Sequence, residues 1–325
     1  MRMNNTLDAI TFGEPMAMFY ANEVGPLHEI NSFSKAMAGA ETNVASGLSR
    51  LGKKVGLVTQ LGQDSFGKFI ENTLLHEGID TSNVYFTDQH PTGMLVKSKV
   101  ETGDPTVEYF RKNSAASKLS LAHFNDDYFN SARHLHMTGI SPALSASCHE
   151  FALHAMKFMR KQGKTISFDP NLRPKLWPDT ETMAKTINEL AAHCDWFLPG
   201  IGEGKILTGY SDPEAVAAFY LDRGVSLVVI KMGAEGAYYR TAETSGFVKG
   251  FKVDKVADTV GAGDGFATGV ISALLEKLPL EDAVRRGNAI GALAVMSPGD
   301  MDGLPTREGL EAFYNSQGHT FVGNK

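Results

Sequence analysis

Cysteine is scarce in this chain: Cys148 and Cys194 are the whole supply in 325 residues. So few thiols argue against a disulfide framework and a cysteine-rich metal centre, and they fit a reducing compartment. Long hydrophobic runs are missing. No apolar stretch approaches the ~20 residues of a membrane span, and Met1 to Asp8 contain no apolar signal core. The expectation is a cytoplasmic protein. Positive charge is not in excess either. A net charge of −6 argues against a nucleic-acid or membrane-surface binder. It says nothing against a small anionic ligand, which a few local cations and backbone N–H groups can hold. Low-complexity segments, internal repeats and long charge runs are also lacking.

What is present is an ordinary globular composition, 42% hydrophobic and 21% charged. At ~150 residues per domain the length allows two domains, or one large α/β domain with an appendage. Short apolar strands alternate with amphipathic stretches. Ala9 to Phe12, Val55 to Leu61, Leu135 to Met137, Thr165 to Phe168, Trp196 to Leu198 and Leu227 to Lys231 read as strands. Thr42 to Leu51, Ser65 to His76, Ser147 to Lys161, Thr180 to His193 and Pro213 to Arg223 have helical spacing. This alternation predicts an α/β fold, a mostly parallel central sheet with helices on both faces. Two stretches break the pattern. Pro15 to Met37 and Pro91 to Lys112 look extended, the second as a hairpin around Thr102-Gly103-Asp104-Pro105. Together they predict a small β-sheet serving as a lid, with edges that favour pairing with a second subunit.

Several motif matches fail. Gly163-Lys164-Thr165 resembles the end of a P-loop, but Phe158 stands where that motif needs glycine. His149-Glu150 lacks the second histidine of a zinc-protease helix, because position 153 is Leu153. His134 and His136 share one side of a strand without a third ligand, which favours packed or hydrogen-bonded histidines. The run from Gly261 to Gly265 lacks a glycine at Phe266, so it is not the dinucleotide fingerprint.

One segment withstands these tests: Asp258-Thr259-Val260-Gly261-Ala262-Gly263-Asp264-Gly265-Phe266. It precedes a helix in which Phe266, Val270, Leu274 and Leu275 share a face. Gly261, Ala262 and Gly263 have little side chain to bar an oxyanion from the N–H groups of the helix start. Asp264 follows directly, placed to take a proton from whatever attacks a bound phosphate. A binding module gains nothing from a carboxylate beside a phosphate cradle, whereas a kinase uses one as a base. Read by itself, the segment is equally a glycine-rich helix cap with an acidic first turn. A second segment runs from Ala38-Gly39-Ala40-Glu41-Thr42-Asn43 to Gly52 and Gly62. It is again a small-residue helix start, with Asn43 offering a donor and an acceptor.

Together the two segments resemble the paired signatures of the PfkB, or ribokinase-like, carbohydrate kinases. The likeness runs from about Ile10 to Leu304. It implies one kinase domain over 1–325, a three-layer sandwich, with the lid formed by about 15–37 and 91–112. It implies catalysis by Asp264 with Gly261, Ala262 and Gly263. It places ATP against Asn171, Lys231, Gly233, Gly236 and Asn288, with Mg²⁺ as cofactor and Glu203 as a carboxylate near the metal ion. Dependence on a monovalent cation is left open. Read bare, Lys231-Met232-Gly233-Ala234-Glu235-Gly236 is a hairpin turn between two strands.

Within the family, Gly13-Glu14-Pro15, Tyr109 to Ser117 and Phe168 to Trp177 resemble kinases of the 2-keto-3-deoxygluconate type. That likeness implies substrate roles for Gly39, Asn43, Tyr109, Arg111 and Arg173. The activity implied is phosphorylation of the sugar acid's primary hydroxyl to the 6-phosphate. Kinases of fructose or another neutral sugar are the alternative, and a non-catalytic sugar- or nucleotide-binding protein is a more distant one. Leu95 stands where a tyrosine is often found, and Gly200 where the Asn-x-x-Glu motif begins. Two arginines over one substrate predict a carboxylate on it, since desolvated guanidinium groups need counter-charge.

Overall fold

A computed structural model describes residues 6–101, 105–297 and 299–323. Nine strands form the main sheet: β1 (Ala9–Phe12), β4 (Val55–Gly62), β5 (Asp80–Thr87), β8 (His134–Thr138), β9 (Thr165–Asp169), β10 (Trp196–Phe197), β11 (Leu227–Lys231), β12 (Gly236–Arg240) and β13 (Ser245–Lys249). Their spatial order is β13-β12-β11-β10-β9-β8-β1-β4-β5. Every neighbouring pair is parallel except β11/β12 and β12/β13. The mostly parallel sheet is as expected. The bare hairpin reading also holds, because Lys231 to Gly236 turns β11 back antiparallel onto β12.

Side chains alternate across this sheet and feed two cores, one on each face. Phe12, Val58, Val228 and Ile230 join one cluster, while Ala9, Leu57, Leu227 and Val229 join the other. Helices α4 (Ala146–Lys161), α5 (Thr180–Ala191) and α7 (Pro213–Leu221) cover the first face through Phe151, Met156, Ile187 and Val216. Helices α1 (Ala40–Arg50), α2 (Ser65–His76), α8 (Ala262–Leu275), α9 (Leu280–Val295) and α10 (Arg307–Ser316) cover the second. The short helices α3 (Asp126–Ser131) and α6 (Ile201–Thr208) sit in connections. Among the described residues no helix is long and apolar enough to cross a membrane.

The two irregular stretches meet as expected. β2 (Met16–Val24), β3 (Phe33–Ala38), β6 (Met94–Lys99) and β7 (Val107–Phe110) form a separate sheet in the order β3-β2-β6-β7. Of the expected hairpin turn, Thr102 to Asp104 lie outside the described residues.

Helix starts differ in a way that bears on function. Asp64, Ser145, Asp179 and Asp212 cap α2, α4, α5 and α7, each accepting a first-turn N–H. Glycines precede α1 and α8, and neither supplies a side-chain cap. Gly261 takes the left-handed conformation (φ 82°), and a Cβ there would lie 2.6 Å from the Asp300 carbonyl oxygen.

Candidate active site

The strands β8, β9 and β11 end in Thr138, Asp169 and Lys231, on the edge of a parallel sheet where ligands ordinarily bind. A cleft of about 280 Å³ opens there, near the lower end of the range for small-molecule sites. The starts of α1 and α8 border it on one side, through Gly39, Asn43, Gly261, Gly263 and Asp264. The small sheet borders it on the other, through Met16, Leu95, Tyr109 and Arg111. Asn171, Arg173, Glu203 and Lys231 complete the lining.

Asp264 sits in the first turn of α8 and is only 7% exposed. Two asparagines hold its carboxylate. Asn43 Nδ2 donates to Oδ2 at 2.7 Å, and Asn171 Nδ2 donates to Oδ1 at 3.3 Å. Burial pushes its pKa up to about 7, and the Asp169 charge adds to the rise. Asn43, Arg173 and Lys231 work against it. The result is a carboxylate that titrates near neutral pH, inside a cleft and at a fixed orientation. Asn171, expected beside a nucleotide, turns its amide to this carboxylate. It adopts a left-handed backbone (φ 38°), which asparagine tolerates better than most residues.

The first-turn N–H groups of α8 have no acceptor within the helix. One of the three cradle donors is partly engaged, since Ala262 N–H reaches the Thr259 carbonyl at 3.4 Å. Lys231 Nζ donates to Asp169 Oδ2 at 2.6 Å, and a Cβ on Gly263 would lie 3.5 Å from that ammonium. A cation therefore stands at the mouth of the cradle with its counter-ion behind it. Below the sheet edge, Glu41 accepts from Thr138 and Ser141 hydroxyls at 2.7 and 2.8 Å, and burial raises its pKa.

Several expected site residues already have partners within the protein. Arg111 is not an unpaired cation. It pairs with the buried Glu14 and stacks 5.6 Å over the Tyr109 ring. Only Arg173, among the described arginines at the cleft, lacks a carboxylate partner, donating instead to its own Leu172 carbonyl at 3.0 Å. Glu203, expected near a metal ion, gives both oxygens to backbone: Leu172 N–H at 2.8 Å and Gly200 N–H at 2.7 Å. It is a clasp between the β9 loop and the start of α6. Gly236 serves packing, since a Cβ there would lie 2.0 Å from the Val248 carbonyl oxygen. Gly233 is open at φ 60°. Asn288 donates to the Val248 and Lys249 carbonyls at 3.0 and 3.2 Å, which ties α9 to β13. His134 and His136 share the Ser167 hydroxyl, at 2.8 Å each, and burial lowers the His136 pKa to about 3. They are packed histidines, as expected.

The cleft also contains residues that sequence reasoning passed over. Asp169 and Glu14 were visible only as members of quoted segments. Lys97 in β6, beside the cleft rather than in its lining, was not singled out either, although a lysine at an inward position of an apolar strand is itself a signal of a buried charge.

Three comparisons bear on this geometry. The description "pfkB family carbohydrate kinase" matches residues 7–307. A 2-dehydro-3-deoxygluconokinase from Bacillus subtilis is 60% identical over 312 residues, covering 96% of each chain. A PfkB protein from Polaromonas sp. JS666 superposes with a TM-score of 0.88 at 50% identity, over 94% of this chain and 99% of that one. A fructokinase with bound ATP from Xylella fastidiosa does so at 0.84 and 26% identity, over 96% and 99%.

Proposed function

The chain belongs to the pfkB family of carbohydrate kinases, and from that premise we propose that it transfers the terminal phosphoryl of ATP to the primary hydroxyl of 2-keto-3-deoxygluconate, giving the 6-phosphate. The observation that carries the chemistry is Asp264, held by two asparagines at the uncapped start of α8. In this reading Asp264 takes the hydroxyl proton as the oxygen attacks phosphorus. The N–H groups of Gly261, Ala262 and Gly263 stabilise charge on the transferred phosphoryl, and Lys231 faces the phosphate chain. The cleft's modest volume suits the sugar and the terminal phosphoryl, with the rest of the nucleotide outside it toward Gly233.

A divalent cation would offset the phosphate charge. The donor set fits an ion carried mainly by phosphate oxygens and water. Among the described residues no group of three potential ligands converges, while Asp169 and Glu203 lend negative charge at the cleft. Replacing Na⁺ and K⁺ by a tetraalkylammonium salt tests the monovalent-cation expectation, and lost turnover supports it.

The substrate assignment rests on Arg173 and on the similarity to the Bacillus subtilis enzyme. Arg173 offers a planar fork that, among the described residues, makes no ion pair with a carboxylate, suited to a sugar acid. Arg111 keeps its charge balanced by Glu14 and positions Tyr109. The test compares kcat/KM for the sugar acid and for fructose in wild type and in Arg173→Ala. The acid should lose ~2 kcal/mol or more, the scale of a charge-assisted contact, while fructose changes little. A wild-type preference for fructose would replace the sugar acid by a neutral sugar and leave the kinase chemistry in place.

The four-stranded sheet is the proposed lid of a single kinase unit. Its edge strand β7 leaves Tyr109 and Phe110 48% and 56% exposed. A second copy pairing at this sheet would cover them, which makes the protein a homo-oligomer. A monomer by light scattering at micromolar concentration would refute that pairing. ATP as co-substrate and the free, buried Cys148 and Cys194 support a cytoplasmic site of action.

A further inference from the structure

The small sheet and the glycine turn are joined by one cation. Lys97 lies in β6, two residues from Leu95, so both side chains leave the same face of the strand. Leu95 lines the cleft. Lys97 reaches past it to the start of the α8 segment and is 3% exposed. Its Nζ pairs with Asp258 Oδ2, and with Asp300 Oδ1 at 3.0 Å. Each of those carboxylates belongs to a residue that shapes the turn. Asp258 Oδ1 accepts the Val260 N–H at 3.0 Å, and Asp300 packs its carbonyl against Gly261. Both aspartates are at most 9% exposed. Without the ammonium, two buried anions would face each other beside the place where phosphate charge develops. Buried carboxylates so placed must repel, take up protons or move.

We propose that Lys97 is a positioning residue for phosphoryl transfer: a cation carried by the small sheet that locks the Asp258–Gly261 turn, and through it the N–H groups at the start of α8. The lock couples two events. When the small sheet seats over the sugar, Leu95 and Lys97 move as one strand, so the wall of the sugar site and the strut under the cradle arrive together. The inference rests on the reading of Gly261 to Asp264 as the phosphoryl-transfer site.

The test measures kcat and KM, per folded protein, in Lys97→Met, Lys97→Arg and Lys97→Ala. Lys97→Met keeps the stem and removes the charge. Its kcat should fall at least ~10-fold, since small misplacements at a reacting centre are costly, with KM for the sugar within about threefold. Lys97→Arg should recover part of the loss. Lys97→Ala should regain turnover saturably with added propylammonium, which replaces the missing stem and charge. If Lys97→Met does not fold, the charge-balanced pair Lys97→Met/Asp300→Asn takes its place, with the same expected split. Wild-type kcat in a folded Lys97→Met or in that pair overturns the inference, as does a loss confined to sugar KM. Asp264→Asn separates this from the parent reading. If that variant turns over normally, the site itself is wrong. If it is inactive while Lys97→Met is normal, only the role of Lys97 falls.

Discussion

The two sheets differ in how much apolar packing holds them. The nine-stranded sheet lies between two apolar cores, with aromatic and aliphatic side chains such as Phe12, Phe151, Phe168 and Phe197 wholly buried. The four-stranded sheet has only a slight core of Met16, Met18, Ala38 and Leu95. It reaches the body through a few scattered contacts: Met37 in the second core, Phe19 edge-on to Phe66 and Lys35 over Phe69 of α2, and Lys97 to Asp258 and Asp300. Dispersion and hydrophobic burial are non-directional and accumulate over many contacts, so they give a rigid platform. A few scattered contacts fix a position without fixing a whole surface, which leaves the small sheet the less firmly held part. Asp264, the proposed base, is on the rigid side, and Tyr109, Leu95 and Arg111 come from the other.

Truncating the platform is the harshest way to break that contrast. Phe151 is fully buried and packs edge-on against Phe12 at 5.0 Å. Phe151→Ala should cost about 3–5 kcal/mol of stability in denaturant titration, while the folded fraction keeps its kcat. Next in size is the base. Asp264→Asn should lower turnover by at least ~10²-fold with the fold intact. It should also raise the melting temperature at neutral pH. A carboxyl whose pKa is lifted to about 7 by burial is destabilised when ionised, so stability falls as pH rises from ~4 to ~7. The asparagine variant escapes that loss, and an unchanged or lower melting temperature would contradict the burial argument.

A smaller effect is expected in the pH profile. With the ionised Asp264 carboxylate as the proposed base, kcat/KM should fall below about pH 7, near tenfold per unit. Asp169 adds to the rise in the Asp264 pKa, so Asp169→Asn should move this acid limb to lower pH. A limb that stays in place would mean that desolvation alone sets it. The finest discrimination between the two sheets is by hydrogen exchange. Amides of β6 and β7 should exchange well before those of β8 and β9 in the free protein, and slow down when sugar and nucleotide are added. Equal protection in both sheets would remove the distinction between platform and lid.

Much of this was legible in advance, for identifiable reasons. Ser65 to His76 begins after an aspartate cap and keeps its apolar residues at helical spacing, and the helix matches those bounds. The strands with apolar residues on both faces were equally plain, because both sides of the main sheet are buried. The strand Asp80–Thr87 was missed, since it is an edge strand with polar residues at Asp80, Thr81, Ser82 and Asn83. Helix Ile201–Thr208 was missed because its short length and two glycines mask any period. At the site, Asp264 and its glycines stood out because they are contiguous. The charge partners did not. Glu14 meets Arg111 across 97 positions, and Lys97 meets Asp300 across 203, distances over which spacing conveys nothing.

The sequence by itself determined the alternation that makes the parallel sheet, the two signature segments that identify the family, and an aspartate in the first turn of a helix without a side-chain cap. Those properties are local: they depend on periodicity, on glycine's freedom and on residues adjacent in the chain. Only the tertiary structure decided that Arg111 is neutralised, that Glu203 is a backbone clasp, that Asn43 and Asn171 hold the Asp264 carboxylate, and that Lys97 pairs with Asp258 and Asp300. Each of those is a meeting of groups from distant parts of the chain. Burial there removes the water that would otherwise screen them, so a charge's role is set by the partner folding brings to it.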